Sequence, residues 1–73
     1  MGQLILFQLD GNDFGYSTIE ENIPPDEVEH TVVRHAERMY PEAEHLYYYD
    51  HNGEFTADII INDYCSERMV YTK

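Results

Sequence analysis

Four histidines, one cysteine and fifteen carboxylates are the groups in this 73-residue chain that could hold a metal or move a proton. Their spacing argues against both. His30 and His35 are five positions apart, about 140° around a helix, so one ion cannot easily take both. Glu27 and His30 share an exposed helical face, but two ligands do not make a site. His45 and His51 project the same way from one strand and stand about 20 Å apart. Cys65 with Asp63 and Glu67 is too sparse a set for an ion. With no second cysteine it has neither an internal disulfide nor a CxxC redox partner. No metal and no cofactor are expected.

Catalysis has as little footing. Acid pairs such as Glu20-Glu21 and Asp26-Glu27 need a concave, partly dry site to separate their pKa values. Ser17 and Ser66 have no histidine at the spacing of an elbow or a triad. No glycine-rich loop precedes a helix to cradle phosphate. The expectation is a chain that is not an enzyme. Its histidines could still modulate charge, since protonating all four would remove four of the eleven net negative charges.

The carboxylates are more informative. From Asp10 to Glu29 there are seven (Asp10, Asp13, Glu20, Glu21, Asp26, Glu27, Glu29) without one arginine or lysine, and Glu42, Glu44 and Asp50 follow. Against them stand Arg34, Arg38, Arg68 and Lys73, for a net charge of −11. A charge of that size exceeds what keeping a small domain dissolved requires, and it costs stability through self-repulsion. Direct binding to nucleic acid is excluded, because that needs a basic footprint. Anionic membranes are disfavoured for the same reason. A salt-adapted origin fits poorly with six isoleucines and seven tyrosines against three alanines.

The elements that would position these groups follow from pattern. Residues 3–9 read as a strand, "DGND" as a turn through Gly11-Asn12, and 14–20 as the return strand. That turn sets Leu9 beside Phe14, Phe7 beside Tyr16 and Ile5 beside Thr18, the face expected to form the core. The other face pairs Leu4 with Ile19, Leu6 with Ser17 and Gln8 with Gly15. Two prolines then stop the sheet. Asp26 with Glu29 has the form of a capping box, and Val28, Val32, Ala36, Met39 and Tyr40 share one side of a helix of about fourteen residues. Pro41 ends it.

In "HLYYYDHNGEF" an Asn52-Gly53 pair predicts a two-residue hairpin that places His51 opposite Glu54, Tyr49 opposite Thr56, Tyr48 opposite Ala57, Tyr47 opposite Asp58 and Leu46 opposite Ile59. Leu46 and Tyr48 then join Ala57, Ile59 and Ile61 inside, leaving Tyr47 and Tyr49 outside with Asp58. "NDYCSE" reads as a loop and "RMVYT" as a last strand. The expected fold is a single α+β domain over residues 1–73. It is a two-layer sandwich of one helix on an antiparallel sheet of four to five strands, in the order β-β-α-β-β-β. The uncovered face would present Leu4, Leu6, Ile19, Tyr47, Tyr49 and Ile60.

The stretch "MGQLILFQLDG" has no basic n-region and is too short for a membrane span, and Leu6 sits where a myristoylation motif wants Ser or Thr. Together with one unpaired cysteine this predicts a reducing, intracellular (cytoplasmic) setting. The functional expectation is a small binding module whose carboxylates (Asp10, Asp13, Glu20, Glu21, Asp26, Glu27, Asp58), with Tyr47 and Tyr49 as anchors, copy a phosphate backbone. They would occupy a basic nucleic-acid-binding partner, as small acidic viral inhibitors of CRISPR or restriction complexes do. The alternatives are a homodimeric subunit joined through Leu4, Leu6, Ile19 and Ile60, or an antitoxin-like partner of a basic protein.

Overall fold

The structure, a computed structural model, describes residues 2–10 and 13–73, with side chains described outside 9–14. Strand β1 (Gly2–Asp10) is followed by β2 (Asp13–Ile23), a 3₁₀ turn (Pro25–Glu27), helix α1 (Val28–Met39), β3 (His45–His51), β4 (Glu54–Ile60) and β5 (Cys65–Thr72). The strands form one antiparallel sheet in the order β2-β1-β5-β4-β3. The fold is α+β, with one helix and five strands. The expected element order lacked the 3₁₀ turn.

That turn also replaces the expected capping box. Glu27 is the N-cap of α1 and no side chain caps it. Pro25 opens the 3₁₀ turn, where its missing N–H costs nothing, and Glu27 N–H donates to the Pro24 carbonyl at 3.0 Å. At the other end Tyr40, biased by Pro41, leaves α geometry at φ −129° and ψ 61°. Its N–H still donates to the Ala36 carbonyl at 3.0 Å.

The β3–β4 register is the one the Asn-Gly loop predicts, from His51 opposite Glu54 to Leu46 opposite Ile59. Asn52 (φ 53°) and Gly53 (φ 82°) both take the left-handed backbone that such a loop requires. In β1–β2, Phe7 opposes Tyr16 and Ile5 opposes Thr18 as expected, but Leu4 opposes Glu20 instead of Ile19. Two register shifts bend β2 there, and Asn22 takes φ 58°, which asparagine tolerates. The Gly11-Asn12 turn lies outside the described residues. β5 begins earlier than expected, so Cys65, Ser66 and Glu67 belong to a strand. The reason is Asn62: its Oδ1 accepts the N–H groups of Tyr64 (2.8 Å) and Cys65 (2.9 Å), closing a short turn between β4 and β5.

The largest correction concerns faces. Leu4 and Leu6, expected on the open face, are buried in one cluster with Val32, Ala36, Ala57, Ile59 and Met69. Tyr16, expected inside, is 72% exposed. Both faces of β1 are apolar, so its alternation alone cannot choose between them. β5 chooses. It lies between β4 and β1 and aligns Met69 with Ala57 on one side and with Leu6 on the other. Since α1 packs over β4 and β5, Leu6 is carried to the helix side. The opposite parity would put Arg68 and Asp58, which oppose each other, under the helix at a steep desolvation cost. On the helix itself Thr31, Val32 and Ala36 are buried, whereas Met39, expected inward, ends the helix 42% exposed.

One further contact closes the core. The Tyr71 hydroxyl reaches past β1 to donate to the Ile23 carbonyl at 3.2 Å. A Cβ on Gly2 would collide with the Tyr71 ring and the Thr72 carbonyl, so only glycine lets this bridge pass. We expect Leu6→Ala to lower stability by about 2–5 kcal/mol in urea unfolding and Tyr16→Ala by under about 1 kcal/mol. The reverse ranking would contradict the assignment of faces.

Candidate functional site

On the sheet face away from α1, the ladders align residues in rows across all five strands. One row reads Tyr16, Phe7, Arg68, Asp58, Tyr47; the next reads Thr18, Ile5, Val70, Thr56, Tyr49. Aromatic rings thus flank a central ion pair. Tyr16 tilts against Phe7 with ring centroids 6.3 Å apart, and Tyr47, 52% exposed, stacks on His45 at 5.8 Å.

The centre of this face is a hydrogen-bonded triad. Arg68 Nε donates to Asp58 Oδ1 at 2.6 Å and its Nη2 reaches Oδ2 at 3.5 Å, while the Tyr49 hydroxyl donates to Oδ2 at 2.7 Å. The bond to Asp58 raises the Tyr49 phenol above its usual value; burial and the Asp58 charge add to this, and Arg68 opposes it. The same carboxylate raises the Arg68 guanidinium. Asp58, expected to meet a partner, therefore has its oxygens occupied within the chain. Glu20 shares that fate, accepting from His35 at 2.9 Å and from Arg34 at 3.4 Å, which ties β2 to α1.

The remaining carboxylates gather at the two ends of the sheet. At the end where β2 leaves and α1 starts lie Glu21, Asp26, Glu27 and Glu29, all exposed, with Asp50 and Glu54 beside the β3–β4 turn. A groove of about 300 Å³ there is lined by Glu29, Asp50, Phe55, Tyr71 and Lys73 among others, and a neighbouring one by Glu21 and Lys73. Glu21, Asp26, Glu27 and Glu29 take no ion pair among the described residues. Asp10 and Asp13 are register partners at the far end of β1 and β2, so the backbone separates them from this group. Ile19 packs on the core and Ile60 is half-buried, so the expected dimer face of Leu4, Leu6, Ile19 and Ile60 does not assemble.

Three residues outside the expected set belong to the exposed surface: Tyr16, Arg68, and Tyr64, which is 87% exposed in the β4–β5 turn. Arg68 was legible as the one arginine beyond the helix, had the Asn62 turn been used to align it with Asp58. Tyr48 points inward, its ring parallel to Phe55 at 6.4 Å and its hydroxyl buried with no hydrogen-bond partner among the described residues. Burial, then the charge of Glu37, raises that phenol. Among the described residues no three histidine, cysteine or acidic side chains are placed to hold a metal. Nor is any helix there long and apolar enough to cross a membrane.

No family model, characterised protein or solved structure matches this chain. Its surface chemistry has to be read from its own geometry. The triad has a pH signature. Because the folded phenol of Tyr49 is raised, its stabilising contribution is complete below its ordinary pKa near 10.0 and is lost as pH climbs through the raised value. Unfolding measured between about pH 9 and 11 should show a steeper loss for the native chain than for Tyr49→Phe. Parallel curves would remove the triad's coupling.

Proposed function

We propose that this chain is a binding protein without catalysis that docks on a basic protein and occupies the surface with which that protein holds nucleic acid. In this reading the chain is a two-layer platform, helix on sheet, carrying fixed anions in place of phosphates. The concrete form is an inhibitor of the kind viruses direct against CRISPR or restriction complexes, working inside a cell.

The observation that carries the proposal is the acidic end. Glu21, Asp26, Glu27, Glu29 and Asp50 converge there from four elements, with Lys73 lining the grooves beside them. Carboxylates without internal partners keep their full field for a basic surface and would speed encounter at low salt. Glu20, Asp58 and Tyr49, whose polar groups are engaged within the chain, become supports, while Tyr47 stays and Tyr16 joins it as a ring on which arginine can stack.

The test captures basic proteins from a nuclease-treated lysate and measures the affinity of the retained partner. We expect affinity to drop at least tenfold between about 50 and 300 mM salt, and nucleic acid to compete for the same partner. The triple variant Glu21→Lys, Asp26→Lys, Glu27→Lys should weaken binding by at least as much while leaving the fold intact. Salt-independent affinity, or an unaffected triple variant, would reject the proposal.

A further inference from the structure

The sheet has two edges, and they differ. The β2 edge is interrupted by two register shifts, a left-handed Asn22 and Gly15. Irregularities of that kind blunt an edge against pairing with another chain. The β3 edge has none of them. Its ladder with β4 runs without a shift through all seven residues, and "HLYYYDH" contains no lysine, proline or glycine. α1 packs mainly over β4 and β5, and β3 is the edge strand of the sheet beyond β4.

The residue order on this edge is close to a palindrome. Read in either direction it is His-x-Tyr-Tyr-Tyr-x-His, centred on Tyr48. In a two-residue hairpin the residues flanking the loop exchange both backbone hydrogen bonds, so His51, Tyr49, Tyr47 and His45 point their main-chain groups toward β4. The N–H and C=O groups of Leu46, Tyr48 and Asp50 therefore point outward. An antiparallel copy of the same strand, related by a two-fold axis at Tyr48, matches these groups to each other: Leu46 to the partner's Asp50, Tyr48 to the partner's Tyr48. About six backbone hydrogen bonds would form. Tyr47 then lies opposite the partner's Tyr49 in the closely spaced type of pair, where aromatic contacts stabilise most.

We infer that the β3 edge is a self-association surface on which a second copy of this chain pairs antiparallel about Tyr48, continuing the sheet from five strands to ten. A shifted register would pair fewer residues, and the isologous arrangement closes on itself and leaves no strand edge for a third copy at that site. A seven-residue edge buries less than the roughly 1,200 Å² of a stable interface, so the dimer is a weak one. Two chains of like charge also repel. Dimerisation should therefore strengthen with salt, opposite to binding of a basic partner, and the two ideas can fail independently.

Sedimentation equilibrium from about 10 μM to 1 mM chain, at about 50 and 500 mM salt, reads the association directly. We expect the mass to rise from 8.6 kDa toward twice that value, and to do so at least threefold lower in concentration at high salt. Amide exchange should slow with concentration at Leu46, Tyr48 and Asp50 and stay constant along β2. Asp50→Pro, which removes an outward N–H that the monomer's sheet does not use, should abolish the dimer, and Asp50→Ala should retain it. If Asp50→Pro does not fold, Tyr47→Lys serves, placing a charge opposite the partner's Tyr49. A monomer throughout would overturn the inference. So would a dimer whose slowed amides lie off β3, or pairing of β3 with an unrelated chain alone.

Discussion

The alignment of β5 between β4 and β1 is the constraint on which the rest depends. It is a matter of parity: a one-residue slip would send every side chain of the strand to the opposite face. With Met69 level with Ala57 and Leu6, the helix side is closed mostly by apolar groups, with Glu67 buried opposite Ile59 among them, and Arg68 falls beside Asp58 on the other side. The opposite alignment would bury a guanidinium under α1. The Asn62 turn sets this parity locally, because the two amides that its side chain accepts fix how many residues separate β4 from β5.

From that parity follows the division of charge. Two carboxylates of the strands are used internally: Asp58 by Arg68 and Tyr49, Glu20 by His35 and Arg34. The exposed ones toward the ends of the sheet, Glu21, Asp26, Glu27, Glu29 and Asp50 on one side, Glu42, Glu44 and Asp63 on the other, lie in water. The sheet face itself is close to neutral and aromatic. A strongly acidic molecule thus carries its field at its poles and its rings along its middle, which separates electrostatic steering from short-range contact.

How much of this was legible beforehand depended on whether one short segment held enough information. The β3–β4 hairpin did: Asn52-Gly53 dictates the turn, and the turn dictates every pair from His51–Glu54 to Leu46–Ile59. The helix was legible in its buried Val32 and Ala36 but not in its first turn, where proline geometry displaced the capping box. The face of β1 was not legible locally. Leu4 and Leu6 are as apolar as Ile5 and Phe7, and the choice between them is made by a strand about sixty residues later. The acidic residues were legible as a population but not as a site, because the partners of Glu20 and Asp58 come from α1 and β5.

The most direct measurement is a methyl NOE experiment on the native chain. We expect strong contacts linking the methyls of Leu6 and Met69 to those of Val32 and Ala36, with Ile5 and Val70 silent toward the helix. Contacts from Ile5 or Val70 to α1, with Leu6 free of it, would contradict the parity of β5 and with it the arrangement of Tyr16, Tyr47 and the Arg68–Asp58 pair on the open face.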